Sequence, residues 1–369
     1  MTWKFVLAIS GLAFAMSPAV AKPVTDCPNR DAPFSAESPL LDLLLSPAAL
    51  SLLDHATRGS LPKSPLLRTT PPSFAAVITL EQLAKFTGMT TATVASLDSE
   101  LRKLPVTPAD RVNRCARYDN DVPTFRLPAR KPRILLFEKI TGFKDEPSVN
   151  AARAAIQAIA DRKGWSIAIS DKAGVFNPRS LRRFDAVIWN NISGDVLTLS
   201  QRAAFVRWLK QGGSYIGMHG SAGDPQYFWD WYPDSLIGAR FAGHPMNPQL
   251  QEARILANSA HPLARGLPPE WRMTDEWYSF KTNPRAAGAD VILTLDESTY
   301  KPEGMGRDLR MGDHPLAWTN CIGRGRMFYS AIGHKPEAYS DPHHVALLEN
   351  AIVWAANDQT SCRHKRLSS

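Results

Sequence analysis

The residues best suited to chemistry in this chain are Gly217-Met218-His219-Gly220-Ser221. Small residues on either side of a central side chain let a tight turn leave the end of a strand, the arrangement by which α/β hydrolases expose a nucleophile. Here the central residue is a histidine. An imidazole cannot form the usual acyl-enzyme, but it can serve as general base, general acid or metal ligand. Neither Cys115 nor Cys321 occupies such a turn, which argues against a cysteine-dependent amidotransferase. A histidine that merely hydrogen-bonds the turn is the structural alternative, and the strand-end position favours function over it.

Other polar groups recur further along. Gly243-His244-Pro245 reads as a loop, Asp275-Glu276 is an acidic pair followed by Trp277-Tyr278, and Gly333-His334 follows an apolar run. If they converge, His219 acts as base or ligand, Glu276 as partner acid and Asp275 as the orienting group. His219, His244 and His334 are the alternative ligand set for a divalent metal. No pair has the H-x-x-x-H spacing of helical ligands, so spacing alone defines no metal centre and requires no cofactor. His261-Pro262 and His343-His344 read as turn and helix-start residues. Aromatics crowd the same segments: Tyr227, Phe228, Trp229, Trp231 and Tyr232, then Trp277 and Tyr278. Apolar ring faces with polar rims suit sugars, whose C–H faces are apolar while their hydroxyls need partners. Core filling is the equal alternative. On the sugar reading, His244, Trp277, Tyr278, His334 and Tyr227 bind substrate.

The elements that must position these groups begin after Pro132. Arg133–Glu138, Trp165–Ile169, Phe184–Trp189 and Ser214–Met218 are short apolar runs, hence buried strands. Between them, Ser148–Lys163 and Thr198–Gln211 read as helices stopped by glycine. This alternation predicts an α/β fold, a doubly wound, mostly parallel sheet with helices on both faces, whose ligands bind beyond the carboxyl ends of the strands. Ala289–Leu295 is a further strand. Pro315–Thr319 and Gly325–Ile332 predict a hairpin turned at Gly323-Arg324-Gly325, and Pro342–Asn357 a closing helix. Residues 22–130 are rich in proline and serine and carry leucines at helical spacing. They predict a small helical N-terminal domain that runs out through a linker at Asp119–Pro132. Residues 131–358 form the α/β domain, and 359–369 a basic tail.

Met1–Ala21 has one early charge, an apolar stretch and Ala19-Val20-Ala21, the pattern of a cleaved export signal. Export makes the four cysteines a disulfide set with three possible pairings. Cys27–Cys115 is favoured because the two bracket the N-terminal segment, with Cys321–Cys362 second. There is no C-x-x-C, so neither a zinc knuckle nor a thioredoxin motif is present. The hydrophobic fraction of 44% and charged fraction of 21% exclude a disordered chain. After the leader, no apolar run approaches the ~18 residues a membrane span needs. The net charge of +8 is spread over scattered basic residues, and Arg363-His364-Lys365-Arg366 lacks the interleaved aromatics of a nucleic-acid platform. The expected partner is a small carbohydrate rather than nucleic acid or membrane, in the periplasm or outside the cell. Association into a homo-oligomer stays open.

Taken in order, several pieces resemble the ThuA-like (trehalose-utilisation) family: Arg133-Ile-Leu-Leu-Phe with Thr141-Gly-Phe143, Gly212–His219, Ile237–Pro245, His261–Leu267, Thr274–Tyr278, Pro315–Trp318 and Gly323–His334. The resemblance implies a flavodoxin-type sheet of the class I glutamine amidotransferase kind. It also implies a role in catabolism of disaccharides or 3-keto-glycosides, with His219, His244, Asp275, Glu276 and His334 at the recurring polar positions. Members often carry a His-Asp pair just after the first strand's Gly-Phe. Here Gly142-Phe143 is followed by Lys144-Asp145-Glu146, so that imidazole is missing. The resulting expectation is an exported hydrolase, lyase or isomerase of carbohydrate catabolism. The alternative is a non-catalytic carbohydrate-binding or accessory interaction protein on the same fold.

Overall fold

The computed structural model describes residues 23–59, 65–356 and 362. The expected export signal and the basic cluster at 363–366 lie outside the described residues. Helices α1 (Leu40–Leu44), α2 (Pro47–Thr57), α3 (Leu80–Thr87), α4 (Thr91–Leu101) and α5 (Pro108–Cys115) build the first part. Their periodic leucines, among them Leu40, Leu43, Leu53, Leu83 and Leu101, face inward into a core of their own. Thr79 starts α3 as its sequence implies, its N–H donating to Gln82 Oε1 at 2.6 Å in a capping box. A disulfide joins Cys27 to Cys115, the favoured pairing. Asp42 and Arg117, both buried, form an ion pair at 2.5 Å that fixes α1 against the chain beyond α5.

The rest of the chain runs β1 (Arg133–Phe137), α6 (Glu146–Lys163), β2 (Ser166–Ser170), α7 (Pro178–Leu181), β3 (Ala186–Trp189), α8 (Leu199–Lys210), β4 (Ser214–Met218), β5 (Phe241–Gly243), β6 (Leu250–Ala257), β7 (Glu270–Glu276), β8 (Ser279–Phe280), β9 (Asp290–Asp296), β10 (Glu303–Gly304), β11 (Arg307–Asp308), β12 (Pro315–Ile322), β13 (Gly325–Ser330) and α9 (Pro342–Ala355). One sheet has the order β2-β1-β3-β4-β13-β12-β9-β6-β7. From β2 to β13 every pairing is parallel. From β13 to β7 every pairing is antiparallel. β1, β3 and β4 are buried on both faces, which is why they read as unbroken apolar runs. The expected hairpin is β12–β13, and a second disulfide, Cys321–Cys362, ties β12 to the chain beyond α9.

Strands β6 and β7 carry alternating polar residues on one face and sit at the sheet edge, a pattern the sequence reading did not name. β9 and β12 pair with register shifts around Ala317, and such irregularities bend a sheet. The antiparallel half curls, and the end of its last strand, β7, returns over the ends of β4 and β13. The helical part docks on the same side. Ser73 donates its N–H to the Thr141 carbonyl at 3.0 Å, Gln226 donates to the Val77 carbonyl at 3.1 Å, and the Tyr118 hydroxyl donates to Asp195 at 2.8 Å. These contacts fall on the loops that follow β1, β4 and β3. Among the described residues, no helix is long and apolar enough to cross a membrane.

Candidate active site

His219 is the first residue past β4, where the apolar run stops. Its φ of +32° is strained for a side-chain-bearing residue and turns the ring back over the strand ends. Gly220 follows, donating its N–H to Asn191 Oδ1 at 3.2 Å. The imidazole is buried. Its Nδ1 lies 2.7 Å from the Ala331 carbonyl, and because a carbonyl only accepts, Nδ1 carries the proton. Nε2 lies 3.4 Å from Glu276 Oε2 and makes no hydrogen bond. A neutral ring in this tautomer turns a lone pair toward a carboxylate oxygen. That contact becomes favourable with a proton on Nε2, a cation between the two atoms, or a donor supplied by ligand or solvent.

Glu276 is the hub. Its Oε2 also lies 3.4 Å from His334 Nδ1, while Oε1 lies 3.2 Å from His244 Nδ1 and accepts from Gln249 Nε2. Burial alone would raise its pKa, but the three imidazoles together hold it down at about 2. Its environment therefore favours the carboxylate form, facing all three imidazoles. The two inner imidazoles are driven apart. Burial opposes charge on His219, yet the Glu276 carboxylate, with Asp275 behind it, lifts its pKa above the ordinary value. Burial lowers that of His334, and repulsion from His219 adds to it against the pull of Glu276 and Asp145.

Asp275 makes its hydrogen bonds to backbone N–H groups rather than to the imidazoles. Fully buried, it accepts the N–H groups of Gly333 at 2.6 Å, Lys335 at 2.9 Å and Glu276 at 3.0 Å. It thus pins the loop that presents His334. Gly333 has φ +136°, and a Cβ there would meet the Tyr339 hydroxyl at 2.2 Å, so the loop needs glycine. On its other edge, His334 Nε2 stands 3.8 Å from Asp145 Oδ2, which accepts from the Ser148 hydroxyl at 2.6 Å. Tyr278 stacks on His219 with centroids 4.1 Å apart. His244 and His334 are half-buried and form the solvent side of the cluster, above the buried His219–Glu276 pair.

Five of the residues singled out in the sequence therefore meet: His219, His244, Glu276, His334 and Tyr278, with Asp275 beneath them. Two do not. Trp277 is fully buried and its indole N–H donates to the Gln251 carbonyl at 2.9 Å, so it packs the core and offers no face to a sugar. Tyr227 lines a separate cavity with Trp189, Asp195, Asp224 and Trp229, and its hydroxyl accepts the Asp224 N–H at 3.2 Å. Gln249 and Ser148 belong to the cluster but no pattern announced them. His261 and His343-His344 stand at a 3-10 turn and the start of α9 as expected.

For a divalent cation, the described residues whose ligand atoms lie within 4.8 Å of one another are His219, Glu276 and His334. His244 is not one of them; its Nδ1 lies 2.8 Å from the Pro245 carbonyl and 3.2 Å from Glu276 Oε1. The carboxylate replaces the third imidazole of the sequence-based set. The unsatisfied Nε2 of His219 fits such a ligand, and two nitrogens with one oxygen suit a borderline metal.

A doubly wound sheet with an imidazole–carboxylate cluster at its carboxyl edge, and no nucleophile at the elbow, defines the class. Residues 133–355 match the ThuA family, described as trehalose utilisation, and the chain belongs to that family. The crystal structure of a ThuA-like protein from Bacteroides uniformis superposes with a TM-score of 0.53 at 24% identity, covering 64% of this chain and 95% of that one. A second ThuA-like protein, from Parabacteroides merdae, gives 0.46 at 17% identity, covering 63% and 92%. The first of these superpositions shows a shared fold. No curated protein matches.

Proposed function

We propose that this chain is an exported enzyme of carbohydrate catabolism that cleaves a disaccharide or 3-keto-glycoside by proton transfer, without a covalent intermediate. The observation that carries the reading is the buried His219 Nε2 facing Glu276 at 3.4 Å, beside a second imidazole whose pKa is shifted the opposite way. Paired titratable groups driven apart in this manner divide the acid and base roles. His219 holds the proton and His334 is the neutral base, which reverses the sequence-based role of His219. A ketone at C3 acidifies the C2 proton. His334 removes it, the enolate forms, and the C1–oxygen bond breaks as His219 protonates the departing oxygen. Water then adds across the new double bond. Glu276 stabilises the imidazolium, and Asp275 and Asp145 position His334. The two disulfides support the exported setting.

The unsatisfied Nε2 also favours a second reading, in which His219, Glu276 and His334 hold a divalent cation. A bound cation would polarise the ketone oxygen at C3. The test is turnover of a panel of 3-keto-glycosides by wild type and His219→Ala, each with and without chelator. Unchanged turnover in the variant removes the first reading, and insensitivity to chelator removes the second. Sugar binding in calorimetry with no turnover by either would instead support a non-catalytic carbohydrate-binding role.

A further inference from the structure

The aromatic run after β4 is not absorbed by the imidazole cluster. Trp229 and Trp231 stack with centroids 5.1 Å apart. Trp229 is held on its other contacts by Tyr232, at 6.2 Å, and by the Arg202 guanidinium, at 5.0 Å. Arg202 is itself buried and anchored by Asp195 and by the Phe228 carbonyl. Trp231 has no ring contact among the described residues except Trp229, and its indole N–H makes no hydrogen bond there. It is half-buried, and with Trp229 it borders an open groove of about 600 Å³ lined also by Arg202, Ala203, Val206, Arg207, Lys210 and Gln211 of α8 and its C-terminal end. Arg207 and Lys210 are exposed and three residues apart, so their side chains leave the same face of the helix. Among the described residues neither has an acidic partner. The groove thus offers one fixed indole face, one free N–H donor and two unneutralised cations.

We propose that this groove is a second binding site, for a pyranose carrying an anionic substituent, a uronate carboxylate or a sulfate ester. The sugar's apolar face lies on Trp231 and its anion between Arg207 and Lys210. A ring face suits a pyranose because the C–H face buries against the indole while hydroxyls stay wet. A single-stranded nucleic acid fits less well, since it needs successive stacking platforms along a longer basic track. Here Trp229 lines the groove as well, but it is stacked on Trp231 and Tyr232, so the two indoles make one platform rather than successive ones. The site shares no residue with the His219 cluster and stands whether or not that cluster is catalytic.

The test is fluorescence and calorimetric titration of the full protein with trigalacturonate, a sulfated disaccharide, neutral maltotriose and an oligothymidylate. The expected result is binding of trigalacturonate or the sulfated sugar, weakened by salt, and weakened about tenfold or more by Trp231→Ala or by Arg207→Gln with Lys210→Gln. The better of the two anionic ligands identifies the substituent. Trp231→Phe keeps a ring and should retain most of the affinity, which separates loss of the platform from loss of fold. His219→Ala should bind as wild type does. Equal binding of maltotriose, tighter binding of oligothymidylate, no binding of either anionic sugar, or binding indifferent to the three groove substitutions would each overturn the proposal.

Discussion

The carboxylate of Asp275 accepts the backbone N–H of Gly333 at 2.6 Å, joining the edge strand of the sheet to the loop beyond its central strand β13. Four strand pairings separate β7 from β13 in the sheet order, so this bond is made only because the antiparallel half curls back. It carries Glu276, the next residue, over the end of β4. Asp275→Asn would turn one accepting oxygen into a donor aimed at an N–H group. Leaving a buried donor unsatisfied costs about 1–3 kcal/mol. The variant should show a lower Tm and, at temperatures where it is folded, a fall in kcat greater than any rise in KM, because His334 loses its position. Unchanged kcat in the folded variant would show that Asp275 serves stability alone.

His219→Gln keeps a side chain of similar reach, and its amide N–H can still donate to the Ala331 carbonyl. It removes only the titratable nitrogen that faces Glu276. General acid catalysis contributes roughly 10²–10⁴-fold, and turnover of a 3-keto-glycoside should fall by that order while thermal unfolding shifts little. A large loss of Tm with no specific loss of kcat would mark the residue as structural.

How far the sequence discloses this arrangement follows from range. β1, β3 and β4 are buried on both faces, so each appears as a continuous apolar run, and the glycines at helix ends bound α6 and α8. His219 was legible because it ends such a run inside a glycine turn. The partners of His219 were legible only as residue types. Nothing local says that Glu276, on an edge strand, reaches β4; that depends on the irregular β9–β12 pairing and the curl it produces. The same absence of local signal hid Gln249, an ordinary loop glutamine. Trp277 misled because a buried indole and a sugar platform look alike in a sequence, and only the bond to the Gln251 carbonyl tells them apart.

The Cys27–Cys115 bridge closes a loop with a sequence separation of 88 around the helical core. A loop of that size should contribute about 4.6 kcal/mol by restricting the unfolded chain. Cys27→Ser with Cys115→Ser should lower the urea midpoint of the helical part ahead of that of the sheet. Tyr118, three residues past the end of α5, bonds Asp195, so loosening this region should also expose the β3 loop to protease. Equal unfolding midpoints before and after the substitutions would show that the bridge is thermodynamically idle.

The opposed shifts of His219 and His334 fix the expected pH dependence. His334, with its pKa lowered below the ordinary imidazole value of 6.5 by burial, is the neutral base at that pH and above. Activity should therefore fall on an acidic limb lying below 6.5. His219, with a pKa raised above 6.5 by the Glu276 carboxylate, should give a second limb lying above that value. The profile of kcat/KM is then a broad bell. Stability follows the same groups. The raised pKa of His219 means its pairing stabilises the fold fully below about 6.5 and is lost as pH rises through the folded value. The lowered pKa of Glu276 means its contribution is present above its ordinary 4.5 and is lost as pH falls from there toward about 2. Glu276→Gln removes the negative partner of both imidazoles. It should move the alkaline limb downward, because nothing then holds the proton on Nε2, and leave the acidic limb below 6.5. An alkaline limb that does not move in Glu276→Gln would mean that His219 is not the group that titrates there.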